Sequence, residues 1–242
     1  MRTTAIIQAR MGSSRLPGKV LMEIDGKPML TRVVSRVLRA DKIDDVIVAT
    51  TTESQDDPVW EFCQQVGYEC FRGDHLDVLD RYYQAAKQYD CENIVRVTAD
   101  CPLIDPGVLD LVVGTFHDRL PQVDYVSNVL TTRHFPRGLD CEVFTFEALR
   151  HAWRVSKAPI FREHVTTYFY HHPEEFRLHG VQHESDHSHH RWTVDTGDDI
   201  YLIREIYATM GSDDFTWLDI LEAAEHHPEW AEINGHIQQK VA

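Results

Sequence analysis

The chain contains 242 residues, of which 43% are hydrophobic and 26% charged, and its formal net charge is −15 at pH 7. This balance is typical of a globular protein with a substantial apolar core. It excludes a broad nucleic-acid surface, because phosphate backbones bind to positive fields, so any anionic ligand must be held by a local group of cations.

Short apolar runs alternate with helical patterns as far as about residue 116. This rhythm predicts an α/β fold with a mainly parallel sheet and helices on both faces. The predicted strands are Thr4–Gln8, Asp45–Thr50, Tyr68–Phe71 and Asn93–Thr98. The predicted helices are Pro28–Arg39, Pro58–Val66, Leu76–Tyr89 and Pro106–Phe116, each with an i, i+3, i+4 apolar stripe.

The rhythm breaks in segment 118–145, which is rich in Pro, Arg, His and Thr. We interpret this segment as a hairpin or lid containing strand-like pieces at Tyr125–Val126 and Cys141–Phe144, and 175–190 as a second lid, acceptor or dimerisation segment. Further on we predict helices at Phe146–Val155 and Phe161–His171, a strand at Arg191–Val194 and a helical C-terminal remainder. No repeat is evident, so we expect one domain over residues 1–242.

The five cysteines form no CxxC pair, so the sequence predicts neither a disulfide framework nor a zinc ribbon. No segment approaches the roughly 20 apolar residues of a membrane span. The apolar stretch that follows Arg2 is too short for a signal peptide. We therefore expect a cytoplasmic protein without a membrane or nucleic-acid partner.

Residues 9–19, ARMGSSRLPGK, follow the first predicted strand and combine two glycines and two serines with three cations. Ligands bind beyond the carboxyl ends of strands in open α/β sheets, and glycine lets backbone N–H groups approach phosphate oxygens. Arg10, Arg15 and Lys19 could neutralise a triphosphate. The spacing fits neither GxxxxGK[ST] nor GxGxxG, and a flexible basic connector is the alternative.

Two carboxylates, Asp100 and Asp195, each follow a predicted strand. A carboxylate beside a triphosphate implies a bridging cation, and Mg²⁺ commonly joins one or two carboxylates to substrate phosphates. We expect both to be magnesium ligands, although either could instead cap a helix. Asp198 and Asp199 are interpreted as structural.

The run QARMGSSRLPGKVL, followed by IDGKPML, closely resembles the opening of cytidylyltransferases of the spore-coat polysaccharide type. It is also similar to the enzymes that make CMP-3-deoxy-manno-octulosonate and CMP-acylneuraminate. The resemblance implies a Rossmann-like nucleotide-diphospho-sugar transferase fold whose loop wraps the CTP phosphates, with Arg10 and Lys19 as the main cations. Ala9, Gly12, Ser13, Arg15 and Asp100 would complete the nucleotide contacts, Gly12 and Ser13 through their backbone.

Other segments also resemble family signatures. RVTADCPLIDP and RWTVDTGDD would place the catalytic magnesium on Asp100 and Asp195, and the region of FRGD would bring Arg72 to the cytosine, unless Arg72 is a surface charge. PRGLDCEVF and FREHVT would supply the acceptor site. Its expected residues are Arg137, Asp140, Glu142, Arg162 and His164.

These residues together predict a Mg²⁺-dependent transfer of CMP from CTP to a small anionic acceptor, with an acidic sugar expected. A phosphate or phosphonate acceptor is the alternative, and a catalytically idle nucleotide-binding protein is a third hypothesis. The related enzymes are often homodimers, so we expect a dimer. The His-rich run HESDHSHH at 183–190 fits no paired zinc motif and is interpreted as a solvated loop.

Overall fold

The computed structural model describes residues 1–238. A central sheet contains seven strands, and a two-stranded pair, β2 (Glu23–Ile24) and β3 (Lys27–Pro28), lies apart from it. The strands of the central sheet are β1 (Thr3–Gln8), β4 (Asp45–Thr51), β5 (Glu69–Gly73), β6 (Asn93–Thr98), β7 (Tyr125–Ser127), β8 (Glu142–Thr145) and β9 (Leu178–Gly180).

The strands of the central sheet follow the order β5-β4-β1-β6-β8-β7-β9. All of them run in one direction except β8, which is antiparallel to both its neighbours. The predicted α/β class with a mostly parallel sheet is therefore confirmed. The two strand-like pieces of segment 118–145 pair with each other as β7 and β8, and both join the central sheet.

Helices cover both faces of the sheet. Adjacent residues of β1 show this, because Ile7 belongs to one apolar core and Ile6 to the core on the opposite face. A third apolar core lies beneath the C-terminal helices. The helices are α1 (Met29–Val37), α2 (Asp57–Val66), α3 (Val78–Gln88), α4 (Pro106–Arg119), α5 (Phe146–Val155), α6 (Pro159–Glu163), α7 (Thr167–His171), α8 (Gly197–Met210), α9 (Trp217–His226) and α10 (Trp230–Asn234).

The strand order places a crevice beside β1. From β1 the chain builds the sheet outward through β4 and β5, and then crosses to the other side of β1 to form β6. Ligands of open α/β sheets bind where the order reverses in this way, at the carboxyl ends of the strands. The loops that follow β1 and β6 meet at this position.

The predicted strand at Arg191–Val194 is wrong. This segment makes only an isolated parallel bridge, between Arg137 and Arg191, because the N–H of Val194 donates to the carbonyl of Asp100 instead of to a neighbouring strand (2.8 Å). Gly138 permits the bridge: its φ is +105°, and a Cβ there would lie 2.7 Å from the carbonyl carbon of Trp192.

The predicted helix Phe161–His171 is also corrected, since it is divided into α6 and α7. His164 ends α6 with φ −111° and ψ 85°, outside the helical region, and the β-branched Val165 and Thr166 follow it. Strands β2, β3 and β9 are two or three residues long and were not predicted. Strands this short carry no readable alternation of apolar and polar residues.

All five cysteines are buried free thiols. Within residues 1–238, no helix combines the length and the apolar character that crossing a bilayer requires.

Candidate active site

Three adjoining cavities open at the carboxyl edge of the sheet. The loop cavity, of about 520 Å³, is lined mainly by Arg10, residues 12–15, Lys19, Asp100 and Asp195. The helix cavity, of about 410 Å³, lies between α3 and α6, and the strand cavity, of about 510 Å³, lies between β6 and residues 125–142. The three cavities share lining residues. Gln8, Arg10 and His75 line both the loop cavity and the helix cavity. Thr98 lines both the loop cavity and the strand cavity, and His164 lines both the helix cavity and the strand cavity.

The Lys19 ammonium is the centre of the loop cavity. It donates to Asp100 at 2.8 Å, to Asp195 at 2.9 Å and to the carbonyl of Val194 at 2.7 Å. Burial lowers the pKa of Lys19, but the two carboxylates outweigh this effect and raise the pKa above its ordinary value. One cation therefore joins the ends of two chain segments that are almost 100 residues apart in sequence.

Asp195 forms ion pairs with two further cations. Arg15 lies 2.8 Å from one of its oxygens, and Arg191 donates to the same oxygen at 3.0 Å. Burial raises the pKa of Asp195, but Lys19, Arg191 and Arg15 together bring it below its usual value. Asp195 is therefore held as a carboxylate in the loop cavity.

A buried hydrogen-bond network around Asp199 supports Asp195. Asp199, which is fully buried, accepts from the backbone N–H of Asp195 at 2.9 Å and from Arg191 at 2.8 and 3.0 Å. Asn234 of α10 donates to Asp199 and to the carbonyl of Arg191, both at 2.9 Å. Asp199 also forms the capping box of α8 with Thr196, which agrees with the structural role expected for it.

The loop after β1 has several backbone donors that the protein does not use. The N–H of Ser13 is occupied, since it donates to the carbonyl of Met11 at 3.0 Å, so the expected backbone contact through Ser13 is not available. Its hydroxyl accepts from Leu16 at 3.2 Å and lies in the loop cavity. Among the described residues, the N–H groups of Gly12, Ser14 and Arg15 have no hydrogen-bond partner.

Arg10 and Arg72 differ in placement. Arg10 is exposed and lines both the loop and the helix cavity, and Ala9 lines the helix cavity beside it. Arg72 lies outside all three cavities, because its guanidinium donates to the carbonyls of Thr51 and Glu53 and pairs with Asp57 at 2.7 Å. The structure therefore does not bring Arg72 to the other predicted nucleotide residues.

Four of the five predicted acceptor residues line the strand cavity: Arg137, Asp140, Glu142 and His164. Asp140 pairs with Arg133, and Glu142 accepts from Arg96 and from Tyr125. The guanidinium of Arg137 makes no hydrogen bond or ion pair with the described residues, although it lines this cavity. Burial lowers the pKa of Arg137, and the neighbouring guanidinium of Arg133 acts in the same direction.

Two of the predicted acceptor residues, Arg162 and His164, lie at the helix cavity. Arg162 donates to Asp77 at 2.8 and 2.5 Å and to the carbonyl of Trp153 at 2.8 Å, so its donors hold α6 against α3. It does not line the strand cavity. His164 lines both the helix and the strand cavity.

Sequence reasoning missed two residues at the helix cavity. Arg81 is buried, lines this cavity and donates once to the carbonyl of Asp74, while its Nε has no partner among the described residues. Nδ1 of His75 is likewise buried without a partner. Arg81 lies on the buried, mostly apolar face of α3. In the sequence it only interrupts the apolar pattern, and nothing there indicates that it lines a cavity.

The two aspartates fit a magnesium ion. Their carboxylates already converge on one cationic atom, Nζ of Lys19, and oxygen donors from one or two carboxylates are what Mg²⁺ takes from proteins at phosphate sites. Within residues 1–238, no cluster of three or more His, Cys, Asp or Glu side chains could hold a metal. This finding includes the His-rich run, in which His183 and His187 pack against Trp217.

The buried network leads to a test of stability. We expect Asp199→Ala to lower the free energy of unfolding by about 3 kcal/mol, because it removes a buried carboxylate that accepts from Arg191, from Asn234 and from the backbone N–H of Asp195. Asp198→Ala is the matched control, since Asp198 is exposed and should cost no more than about 0.5 kcal/mol. Urea denaturation of both variants measures the difference, and equal losses would contradict the role assigned to Asp199.

The comparisons with known proteins agree with the geometry. A family described as cytidylyltransferase matches residues 4–212. An uncharacterized protein of Methanocaldococcus jannaschii is 36% identical over 242 residues, which cover 99% of this chain and 97% of that protein. The spore coat polysaccharide biosynthesis protein SpsF of Bacillus subtilis is 32% identical over 214 residues, which cover 85% of this chain and 86% of that protein.

A solved structure is similar along its whole length. The structure of a cytidylyltransferase from Leptospira borgpetersenii matches with a TM-score of 0.91 at 33% sequence identity, and the match covers 100% of both chains. The family match and these relatives show that the chain belongs to the cytidylyltransferase family, a group of nucleotidyltransferases, as its loop sequence predicted.

Proposed function

We propose that the chain transfers CMP from CTP to a small sugar acid, with Mg²⁺ held by Asp100 and Asp195 and with release of pyrophosphate. One observation carries this proposal: three cations, two convergent carboxylates and unused loop N–H groups line the same cavity. Such a set of groups suits a metal-bound triphosphate, whose negative oxygens accept from N–H groups and pair with cations.

The helix cavity is the proposed cytosine site. It adjoins the loop cavity, as the base of a nucleotide must adjoin its phosphates, and it is lined by Arg81 and His75. A buried Arg81 Nε without a partner is costly unless a ligand accepts from it, and the cytosine carbonyl is such an acceptor. Arg81 therefore replaces Arg72 as the proposed base-reading residue.

The charge of the strand cavity supports a carboxylate acceptor. Arg133 and Asp140 form one ion pair and Arg96 and Glu142 another, which leaves Arg137 as the one uncompensated charge among the described lining residues. A single guanidinium matches a singly charged carboxylate better than a phosphate dianion. The name of the B. subtilis relative refers to polysaccharide biosynthesis, which also supports a sugar.

The proposed reaction is an in-line attack by an acceptor oxygen on the α-phosphorus of CTP. Arg137 would hold the acceptor carboxylate, and Thr98, which joins the strand and loop cavities, marks where the two substrates meet. Arg10, Arg15 and Lys19 would neutralise the charge on the leaving pyrophosphate. Magnesium, when bound, would add further charge stabilisation at the phosphates.

The first test is pyrophosphate release with each of the four NTPs and a panel of sugar acids, sugar phosphates and phosphonates. We expect release with CTP and a sugar acid only.

Asp100→Asn should lower kcat by at least about 100-fold, because it removes a carboxylate from the metal and Lys19. Asp118→Asn, on the exposed end of α4, is the control. Full turnover by Asp100→Asn would contradict the proposed site.

The acceptor site has its own test. We expect Arg137→Gln to raise the KM for the acceptor by about 10-fold or more, because it removes the proposed carboxylate partner. The KM for CTP should change by less than about twofold, since Arg137 does not line the loop or helix cavity. Steady-state kinetics with each substrate varied separates the two constants, and an unchanged acceptor KM would place the acceptor elsewhere.

The base site is tested by a matched pair of arginines. Arg81→Lys keeps the charge but removes the Nε donor, so we expect the KM for CTP to rise about 10-fold. Arg72→Lys should change this constant by less than about twofold, because Arg72 lies outside the cavities. The reverse result would favour the sequence-based assignment to Arg72. Melting temperatures of both variants control for misfolding.

A further inference from the structure

Asp56 is a buried carboxylate that neither the motifs nor the proposed reaction use. It lies in the short 3₁₀ turn Ser54–Asp56 that follows β4, and its exposed fraction is 0%. One oxygen accepts from the backbone N–H of Met11 at 2.6 Å, and the other accepts from the hydroxyl of Thr51. Although Asp56 occupies the N-cap position of α2, its side chain makes no capping bond there.

Met11, whose backbone N–H is held by Asp56, is the closure point of the loop after β1. Its carbonyl accepts from the N–H of Ser13 at 3.0 Å and from the N–H of Gly18 at 2.9 Å. Gly18 has a φ of +73°, a left-handed conformation that glycine adopts without strain. Both ends of the segment from Met11 to Gly18 therefore meet at Met11, whose carbonyl closes the loop and whose N–H is held by the Asp56 carboxylate.

This closure determines which donors the loop offers. The N–H groups of Met11, Ser13 and Gly18 are used within the protein, whereas those of Gly12, Ser14 and Arg15 are not and belong to residues that line the loop cavity. Hydrogen bonds to an ionised acceptor are stronger than those between neutral groups. A buried carboxylate is therefore a firm anchor for a peptide that would otherwise be free to turn.

We propose that Asp56 is a positioning residue for nucleotide binding: by fixing the backbone of Met11, it keeps the N–H groups of Gly12, Ser14 and Arg15 available to the CTP phosphates. This inference rests on the proposed function for its ligand. The contact between Asp56 and Met11 is independent of that function. The conformation of the loop and the affinity for CTP are therefore measured separately.

The experiment compares Asp56→Ala, Asp56→Asn and the wild-type chain. Amide hydrogen exchange of residues 10–18 reports the loop without any ligand, and calorimetric titration with CTP and Mg²⁺ reports nucleotide affinity. We expect Asp56→Ala to abolish the protection of the Met11 amide and to weaken CTP binding by about 10-fold. Asp56→Asn should stay within about threefold of the wild type, because its amide oxygen still accepts from Met11 and its amide nitrogen faces Thr51.

Val112→Ala is the control for a general loss of stability, since Val112 is buried in α4 away from the cavities. It should lower the melting temperature without changing exchange at Met11 or CTP affinity. Unchanged Met11 protection in Asp56→Ala, or CTP affinity equal to that of the wild type, would overturn the proposal. If the wild type binds no CTP but Asp56→Ala still loses Met11 protection, the proposed function fails while the anchoring of the loop is supported.

Discussion

The site depends on the contact of the Lys19 ammonium with the carboxylates of Asp100 and Asp195. These residues come from three distant parts of the chain: the loop after β1, the loop after β6 and the segment before α8. A parallel sheet brings the first two together because the carboxyl ends of β1 and β6 lie side by side. The third must be carried there by tertiary contacts, which the network around Asp199 supplies.

Much of the fold could be predicted because its central strands are buried on both faces. Asn93–Thr98 and Asp45–Thr50 are apolar runs of strand length with turn signals beside them, and the structure contains both. The loop after β1 stood out in the sequence for a related reason, because it carries three cations in a chain whose net charge is −15. The family match confirmed what that loop resembled.

The parts that could not be predicted depend on partners distant in sequence. Arg191–Val194 has the composition of a strand, but its N–H groups bond to Asp100 and Arg137 rather than to a sheet neighbour. Arg72 lies near the carboxyl end of β5, but β5 is an edge strand, and the guanidinium donates to the carbonyls of Thr51 and Glu53 at the end of β4. Arg81 lines the helix cavity, but it belongs to α3, whose apolar pattern indicates only that the helix packs against the sheet. The local sequence does not indicate any of these hydrogen-bond partners or positions.

The helices that follow α8 lie outside the residues matched by the family, which end at 212. They are nevertheless joined to the matched part of the fold by buried hydrogen bonds: the N–H of Trp217 donates to Asp105 at 2.8 Å, and Arg36 donates to the carbonyl of Phe215 at 3.1 Å. Asn234 of α10 also donates to Asp199, the carboxylate that supports Asp195. The end of the family match is thus not a structural boundary, because the last two helices and the segment before them are bonded to the residues that support the loop cavity.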